Sequence, residues 1–355
     1  MNIQHNSINF INQHFYIGID VHKNRWSVTI RNNNLILKTF SMNPSPDQLN
    51  KYLQSNYPQA VYHIVYEIGF SGFWIYRRFK ELNLDCIVVN PADIPTAHKE
   101  IDRKSDPIDS NKLARELEKG DLKPIYIPDQ QIQHLRSLTR LYHTIIQNIT
   151  RVKNRIKGHL YYNGITLPPH TSHWSNNFIS YLLSLELDNG PSKDYLLLLL
   201  EELQQHRNRL LVTLKKLRYY ASISNSNKTI HNLLTIPGIG FKSAITLFTE
   251  IMDMNRFKSL DQLKSYIGLV PSTYSSGEHN IVKGITKRRN SYLRYVIIES
   301  AWVAIRKDPV LLSTYNALIL RMKKQQAIIR IARKLLSRIR YVWINNHAYV
   351  QGVVQ

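Results

Sequence analysis

The chain of 355 residues contains one cysteine, 25 acidic residues against 47 basic ones, and no long uncharged apolar run. Each scarcity excludes something. A single thiol, Cys86, rules out an internal disulfide framework and any multi-thiolate zinc site. Within the apolar run Cys86 to Val89 it reads as a buried strand residue. Without about 18 consecutive apolar residues no helix is expected to span a membrane. The segment Met1 to Phe15 is polar and Asn-rich, unlike a secretory leader, so a cytoplasmic, soluble protein with no membrane partner is expected. The shortage of acid leaves a net charge of 47 − 25 = +22. A surplus of that size points to a polyanionic partner. What is present is ordinary globular material: 43% hydrophobic residues, and length enough for two or three domains.

Where acids are few, their positions are informative. Asp20 ends the apolar run Tyr16-Ile17-Gly18-Ile19, and Glu67 ends a second one, Val61 to Tyr66. Asp106 and Asp109 lie one helical turn apart in Lys104-Ser105-Asp106-Pro107-Ile108-Asp109, so both can project from the first turn of a helix. Carboxylates gathered at one point repel each other unless a cation neutralises them. Hard oxygen donors suit Mg²⁺ or Mn²⁺, and divalent ions serve phosphodiester chemistry.

The surrounding pattern supports that convergence. Tyr16–Ile19, Trp26–Arg31 and Leu35–Phe40 are short and β-rich, separated by turn formers such as Asn32-Asn33-Asn34. A helix is expected over Asp47–Gln54, a strand over Val61–Tyr66, a helix over Phe73–Leu82, a strand over Cys86–Asn90, and further helix to residue 120. Three meandering strands followed by helix, strand, helix, strand is the chain order of the ribonuclease H fold. It would bring the four acids together.

Two further regions follow. Leu135, Leu138, Tyr142, Ile145, Ile149, Val152 and Ile156 recur at heptad spacing, as do Leu196, Leu200, Leu203, Leu210, Leu214 and Leu217. Pro168-Pro169 between them breaks the helix and lets two arms fold back; the seams can pack within one chain or pair two chains. The face carrying Arg136, Arg140, Arg151, Lys153, Arg155 and Lys157 is expected to point outward, available to a phosphate backbone. In the last, mostly helical region, Ile236-Pro237-Gly238-Ile239-Gly240 followed by Lys242 has the pattern of a helix-hairpin-helix turn. Glycines there let backbone N–H groups approach a phosphate, although a plain tight turn between packed helices fits as well. Near the C-terminus a basic helix carries Arg330, Arg333 and Lys334, read as nucleic-acid contacts.

Gly18-Ile19-Asp20, Lys104 to Asp109, Gly268-Leu269-Val270-Pro271, Ser275-Ser276-Gly277, and Gly284 to Asn290 with Leu293 and Arg294 occur in one order. Jointly they resemble the DEDD transposases of the insertion-sequence 110/1111 group, relatives of the Piv-type DNA invertases, over about residues 14 to 345. The resemblance implies a RuvC-like ribonuclease H domain at 14–125, a coiled-coil arm at 126–222, and a mostly α-helical transposase domain at 223–346. It implies that Asp20, Glu67, Asp106 and Asp109 hold Mg²⁺, with Mn²⁺ as the alternative, and that Ser276 is the nucleophile. Lys104, Gly238, Gly240, Lys242, Lys287, Arg288, Arg294, Arg330, Arg333 and Lys334 are then the expected nucleic-acid contacts. The implied partners are DNA, a structured noncoding guide RNA, and further copies of the chain, as a dimer or a synaptic tetramer. Such a protein cuts and rejoins DNA strands. A RuvC-like junction-resolving endonuclease using activated water is the alternative. Ser275 and Tyr274 remain rival hydroxyls, and His279 is the nearest histidine that could activate a serine. This chain departs from the family pattern at Arg289, where glycine is usual, and at Ser110, where alanine is usual.

Overall fold

The computed structural model describes residues 10–95, 105–168, 174–185, 187, 190–223, 227–276 and 279–351. They form two compact units that meet in sequence between Ile127 and Pro128.

The first unit is built on a five-stranded sheet: β1 (His14–Val21), β2 (Trp26–Asn32), β3 (Leu35–Met42), β4 (Val61–Glu67) and β5 (Asp85–Val89). Their spatial order is β3-β2-β1-β4-β5; β2 runs antiparallel to β1 and β3, and β4 and β5 run parallel to β1. Helices α1 (Pro46–Asn56) and α2 (Trp74–Glu81) supply the connections, and α3 (Asp106–Lys119) closes the unit. The expected chain order of elements is therefore the observed one. Local signals start and stop the helices: Ser45 caps α1 by accepting from the Gln48 amide, and Gly120 ends α3 in the left-handed region.

Strand alternation sorts the residues of this sheet. Phe15, Ile17, Ile19, Trp26, Val28, Ile30, Tyr62, Ile64 and Tyr66 share one core with Leu49 and Leu53 of α1 and Ile75 and Phe79 of α2. The odd residues of β2 and the even ones of β1 face the other way, towards α3. Ser27, Thr29 and Arg31 lie on the face of β2 opposite that core, and all three are buried. Thr29 Oγ1 lies 2.8 Å from Ser110 Oγ, and Ser27 Oγ lies 3.3 Å from it. Arg31 donates to Glu118 at 2.9 Å and to Asn111 at 3.0 Å. Cys86 is buried in the sheet, as expected.

The second unit is helical apart from one hairpin. Two 33-residue helices, α4 (Gln130–Tyr162) and α6 (Pro191–Ile223), pack along each other, with the short α5 (Asn176–Leu183) between them in sequence. Then come α7 (Asn227–Leu234), α8 (Phe241–Ile251), α9 (Leu260–Ile267), a hairpin of β6 (Pro271–Ser276) and β7 (His279–Ile285), α10 (Ser291–Ala304), α11 (Pro309–Ile319) and α12 (Lys324–Asn345). The hairpin was not foreseen in a region read as helical.

The expected seams are spent inside the chain. Val152, Ile156, Leu160, Leu196, Leu200 and Leu203 form one core with Phe178 and Leu182 of α5. Leu135, Tyr142 and Leu217 join the core of α8 to α12. The expected outward basic face is also partly engaged. Arg140 makes two hydrogen bonds to the buried Glu250, at 2.6 and 2.9 Å, and Arg155 pairs with Glu202. Those cations neutralise protein acids rather than standing free for phosphate.

Candidate functional site

Gly18 explains how α3 reaches the sheet. A Cβ built there would lie 2.1 Å from the Ser110 carbonyl oxygen and 2.5 Å from the Ala114 amide nitrogen. The helix backbone thus rests directly on β1, an approach that only a residue without a side chain allows. The Ser110 hydroxyl, at the position of a family alanine, is matched by the Ser27 and Thr29 hydroxyls beneath it, so this departure is satisfied locally.

Asp20 lies two residues past Gly18 on the same face of β1. Glu67 ends β4 on the face shared with Val65, whose side chain packs with Leu113 of α3. Ile19 and Tyr66 are register partners, so the chain positions that follow them set Asp20 and Glu67 on neighbouring strands. The first turn of α3 supplies Asp106 and Asp109.

Of the four expected acids, the structure brings two into ligand distance of a common point, and adds a residue that sequence reasoning missed. Ligand atoms of Asp20, His22 and Asp106 all lie within 4.8 Å of one another. His22 Nε2 is 3.2 Å from Asp20 Oδ2 and 3.5 Å from Asp106 Oδ1. Glu67 and Asp109 stand outside that cluster. Burial raises the pKa of Asp20; His22 opposes the shift, and the charges of Asp106 and Asp109 add to it. Such electrostatics suit a cation: the carboxylates disfavour one another's charge, and the donors are hard oxygens and an imidazole. The residues present fit a divalent ion. The only sequence signal for His22 was its two-residue spacing from Asp20, which places it on the same side of the extended chain.

The expected nucleic-acid contacts divide. Lys104 lies outside the described residues. Lys242, in the first turn of α8, places its ammonium 6.0 Å from the Tyr142 ring centre. It lines a cleft of about 700 Å³ together with Tyr142, His143, Ser243, Tyr292 and Tyr295. Gly238 has φ +87°, and a Cβ there would lie 2.4 Å from the Ser300 carbonyl oxygen, so packing against α10 accounts for this glycine without a ligand. Gly240 precedes α8 and faces open space. Lys287, Arg288, Arg330 and Lys334 are exposed. Arg294 and Arg333 are partly committed, donating to the carbonyls of Thr286 at 2.8 Å and Leu269 at 2.7 Å. Ser276 is the last residue of β6, and its backbone pairs in register with that of His279. Ser275 and Tyr274 precede it on the same strand, and nothing is described of side chains at 272–283.

Two family models match the chain. A DEDD transposase model of the IS110 type covers residues 17–162, and that of the Transposase IS116/IS110/IS902 family covers 230–316. Similar curated proteins include a putative transposase, y4qE, of Sinorhizobium fredii, 29% identical over 68% of this chain and 58% of its own length. A second from that organism, y4rJ, is 26% identical over 82% of this chain and 79% of its own. The transposase for insertion sequence element IS1111A of Coxiella burnetii is 24% identical over 75% and 73%. The match thus spans less than two thirds of the first relative. Among the described residues no helix is long and apolar enough to cross a membrane.

Proposed function

This chain belongs to the IS110 family of DEDD transposases, and from that premise we propose that it cuts and rejoins DNA strands through a carboxylate-held divalent ion and Ser276. The observation that carries the reading is the delivery of the first turn of α3 onto Asp20 by the bare backbone at Gly18. Asp20, Glu67, Asp106 and Asp109 would hold Mg²⁺ or Mn²⁺, with the first unit acting as a RuvC-like ribonuclease H domain. The ion, when bound, would polarise the scissile phosphate.

Ser276 Oγ then bonds to phosphorus as the deoxyribose oxygen leaves and takes up a proton. One phosphoester replaces another, so a second strand's hydroxyl can reverse the exchange without external energy. The start of β7 brings His279 into backbone register with Ser276, which supports it as the group that accepts the serine proton. Lys287, Arg288 and Arg294 follow that hairpin and would balance charge developing on phosphorus. The α4–α6 pair would serve as the family's coiled-coil arm. Target sequence would be read by base pairing with a structured noncoding RNA, while the exposed cations hold nucleic-acid backbones in an oligomeric complex.

The test measures cleavage, covalent adduct and binding on one DNA substrate. Asp20→Asn or Asp109→Asn should lower cleavage by about a hundredfold or more and leave nucleic-acid affinity unchanged. Ser276→Ala should abolish the protein–DNA adduct that survives denaturing gels, and Ser275→Ala should retain it. Wild-type cleavage in the aspartate variants removes the tetrad from the mechanism. Full cleavage by Ser276→Ala favours the water-using, junction-resolving nuclease.

A further inference from the structure

The acids of this site have a neighbour of another kind. His22 follows β1, two residues past Asp20, and places its imidazole between a carboxylate of the sheet and one of α3. Around an octahedral ion with ligands at about 2.1 Å, adjacent donor atoms are about 3.0 Å apart. The separations of 3.2 Å from His22 Nε2 to Asp20 Oδ2 and 3.5 Å to Asp106 Oδ1 are close to that edge length. His22 Nε2 therefore stands at near-edge spacing from each carboxylate, and all three ligand atoms lie within 4.8 Å of one another. Among the described residues, His22 pairs with both Asp20 and Asp106, whereas the partner of Glu118 is Arg31 and that of Asp47 is Arg78. An arginine or lysine there would fill the site with a permanent charge. A neutral imidazole offers a lone pair instead.

We propose that His22 is a nitrogen ligand of the divalent ion held by Asp20 and Asp106, so that this site is a mixed nitrogen–oxygen one. This rests on the metal-dependent reading above and deepens it. With Nδ1 carrying the proton, Nε2 turns its lone pair to the ion and exchanges its contact with Asp20 Oδ2 for a shared metal. The consequence is selectivity. Mg²⁺ dehydrates reluctantly and prefers oxygen, whereas first-row transition ions accept imidazole readily. The site should then favour Mn²⁺ over Mg²⁺ more strongly than four carboxylates would.

The experiment uses the full-length protein and Mn²⁺ as the probe. Pulsed electron paramagnetic resonance should detect imidazole ¹⁴N coupled to the bound Mn²⁺ in the wild type. His22→Ala should lose that coupling while Mn²⁺ still binds, about tenfold or more weakly, with a smaller preference over competing Mg²⁺. His22→Gln keeps a polar side chain of similar reach on an exposed residue and should behave as His22→Ala does. Absence of ¹⁴N coupling in wild type, or its persistence in both variants, overturns the proposal. Asp20→Asn separates the two readings. If it abolishes Mn²⁺ binding while wild type lacks nitrogen coupling, the carboxylate site stands and only the histidine ligand falls. If Mn²⁺ binds Asp20→Asn as tightly as wild type, or binds neither, the metal site and the proposal fall together.

Discussion

In the first unit a helix is laid on a sheet through polar groups; in the second, helices are laid on one another through leucines. The contact of α3 with β1 and β2 is made of the Ser110, Ser27 and Thr29 hydroxyls, the Arg31–Glu118 pair and a bare glycine. Each of those has one partner geometry, so a shift of α3 by a single residue would leave buried donors and acceptors unmatched. The contact of α4 with α6 is made of Val152, Ile156, Leu160, Leu196 and Leu203, which tolerate small displacements as hydrocarbon does. Polar burial was spent where a first helical turn has to meet a strand end to within a bond length.

That contrast can be broken from its polar side first. Arg31→Met should cost about 3–5 kcal/mol, because it leaves Glu118, only 9% exposed, buried without its guanidinium. Chemical denaturation of the full chain measures the cost, which should appear with loss of Mn²⁺ binding; unchanged stability would mean that the polar contact does not hold α3.

The helical unit has a polar pair of its own, between Arg140 of α4 and Glu250 of α8. Arg140→Met should cost about 3 kcal/mol, towards the lower end for a buried pair because the Arg140 side chain is 43% exposed. Mn²⁺ binding should stay intact. Burial alone would raise the pKa of Glu250; the hydrogen bonds and charge of Arg140, with Asn290 and Arg136, outweigh it and hold the carboxyl below its ordinary value. A depressed folded value contributes stability fully above the unfolded value of about 4.3, and that contribution is lost as pH falls through the folded one. The stability difference between wild type and Arg140→Met should therefore shrink on acidification, beginning above the ordinary value of about 4.3, where the variant's buried Glu250 takes up a proton, and continuing until the wild-type carboxyl does. A difference constant from pH 7 to 3 would remove Glu250 from the account.

The smallest effect expected is that of Gly18→Ala, about 1–3 kcal/mol, since α3 must lift away from a Cβ. Its mark is disproportion: Mn²⁺ affinity should fall more than the modest destabilisation suggests. A variant with wild-type metal affinity would show that close seating of α3 is not what assembles the site.

Much of this was legible in the chain. Alternation on β1, β2 and β4, with turn formers between, yields the order of the first seven elements. The ends were less legible: Tyr16–Ile19 became His14–Val21, because ladder bonding to β2 and β4 extends a strand beyond its apolar run. Ser27, Thr29 and Arg31 carry no signal that a later helix will cover them, since their partners lie about 80 residues on. For the same reason His22 was passed over: its meaning comes from Asp106, across the fold. The β6–β7 hairpin was missed because Pro271 to Ser276 is polar and lacks the apolar alternation that marks a strand.

The two long helices of the second unit have one more consequence. At 33 residues each they extend about 50 Å, and they belong to two separate hydrophobic cores. The near one is shared with α8 to α12, and the far one is closed by α5 with Ile165, Leu167 and Trp174 beside it. A rod with a small independent core at its tip is a lever with its own latch. The tip can unfasten locally, at the cost of nine buried side chains, while the fulcrum stays packed. Amide hydrogens at residues 152–160 and 196–203 then exchange as one cooperative group, ahead of those at the base.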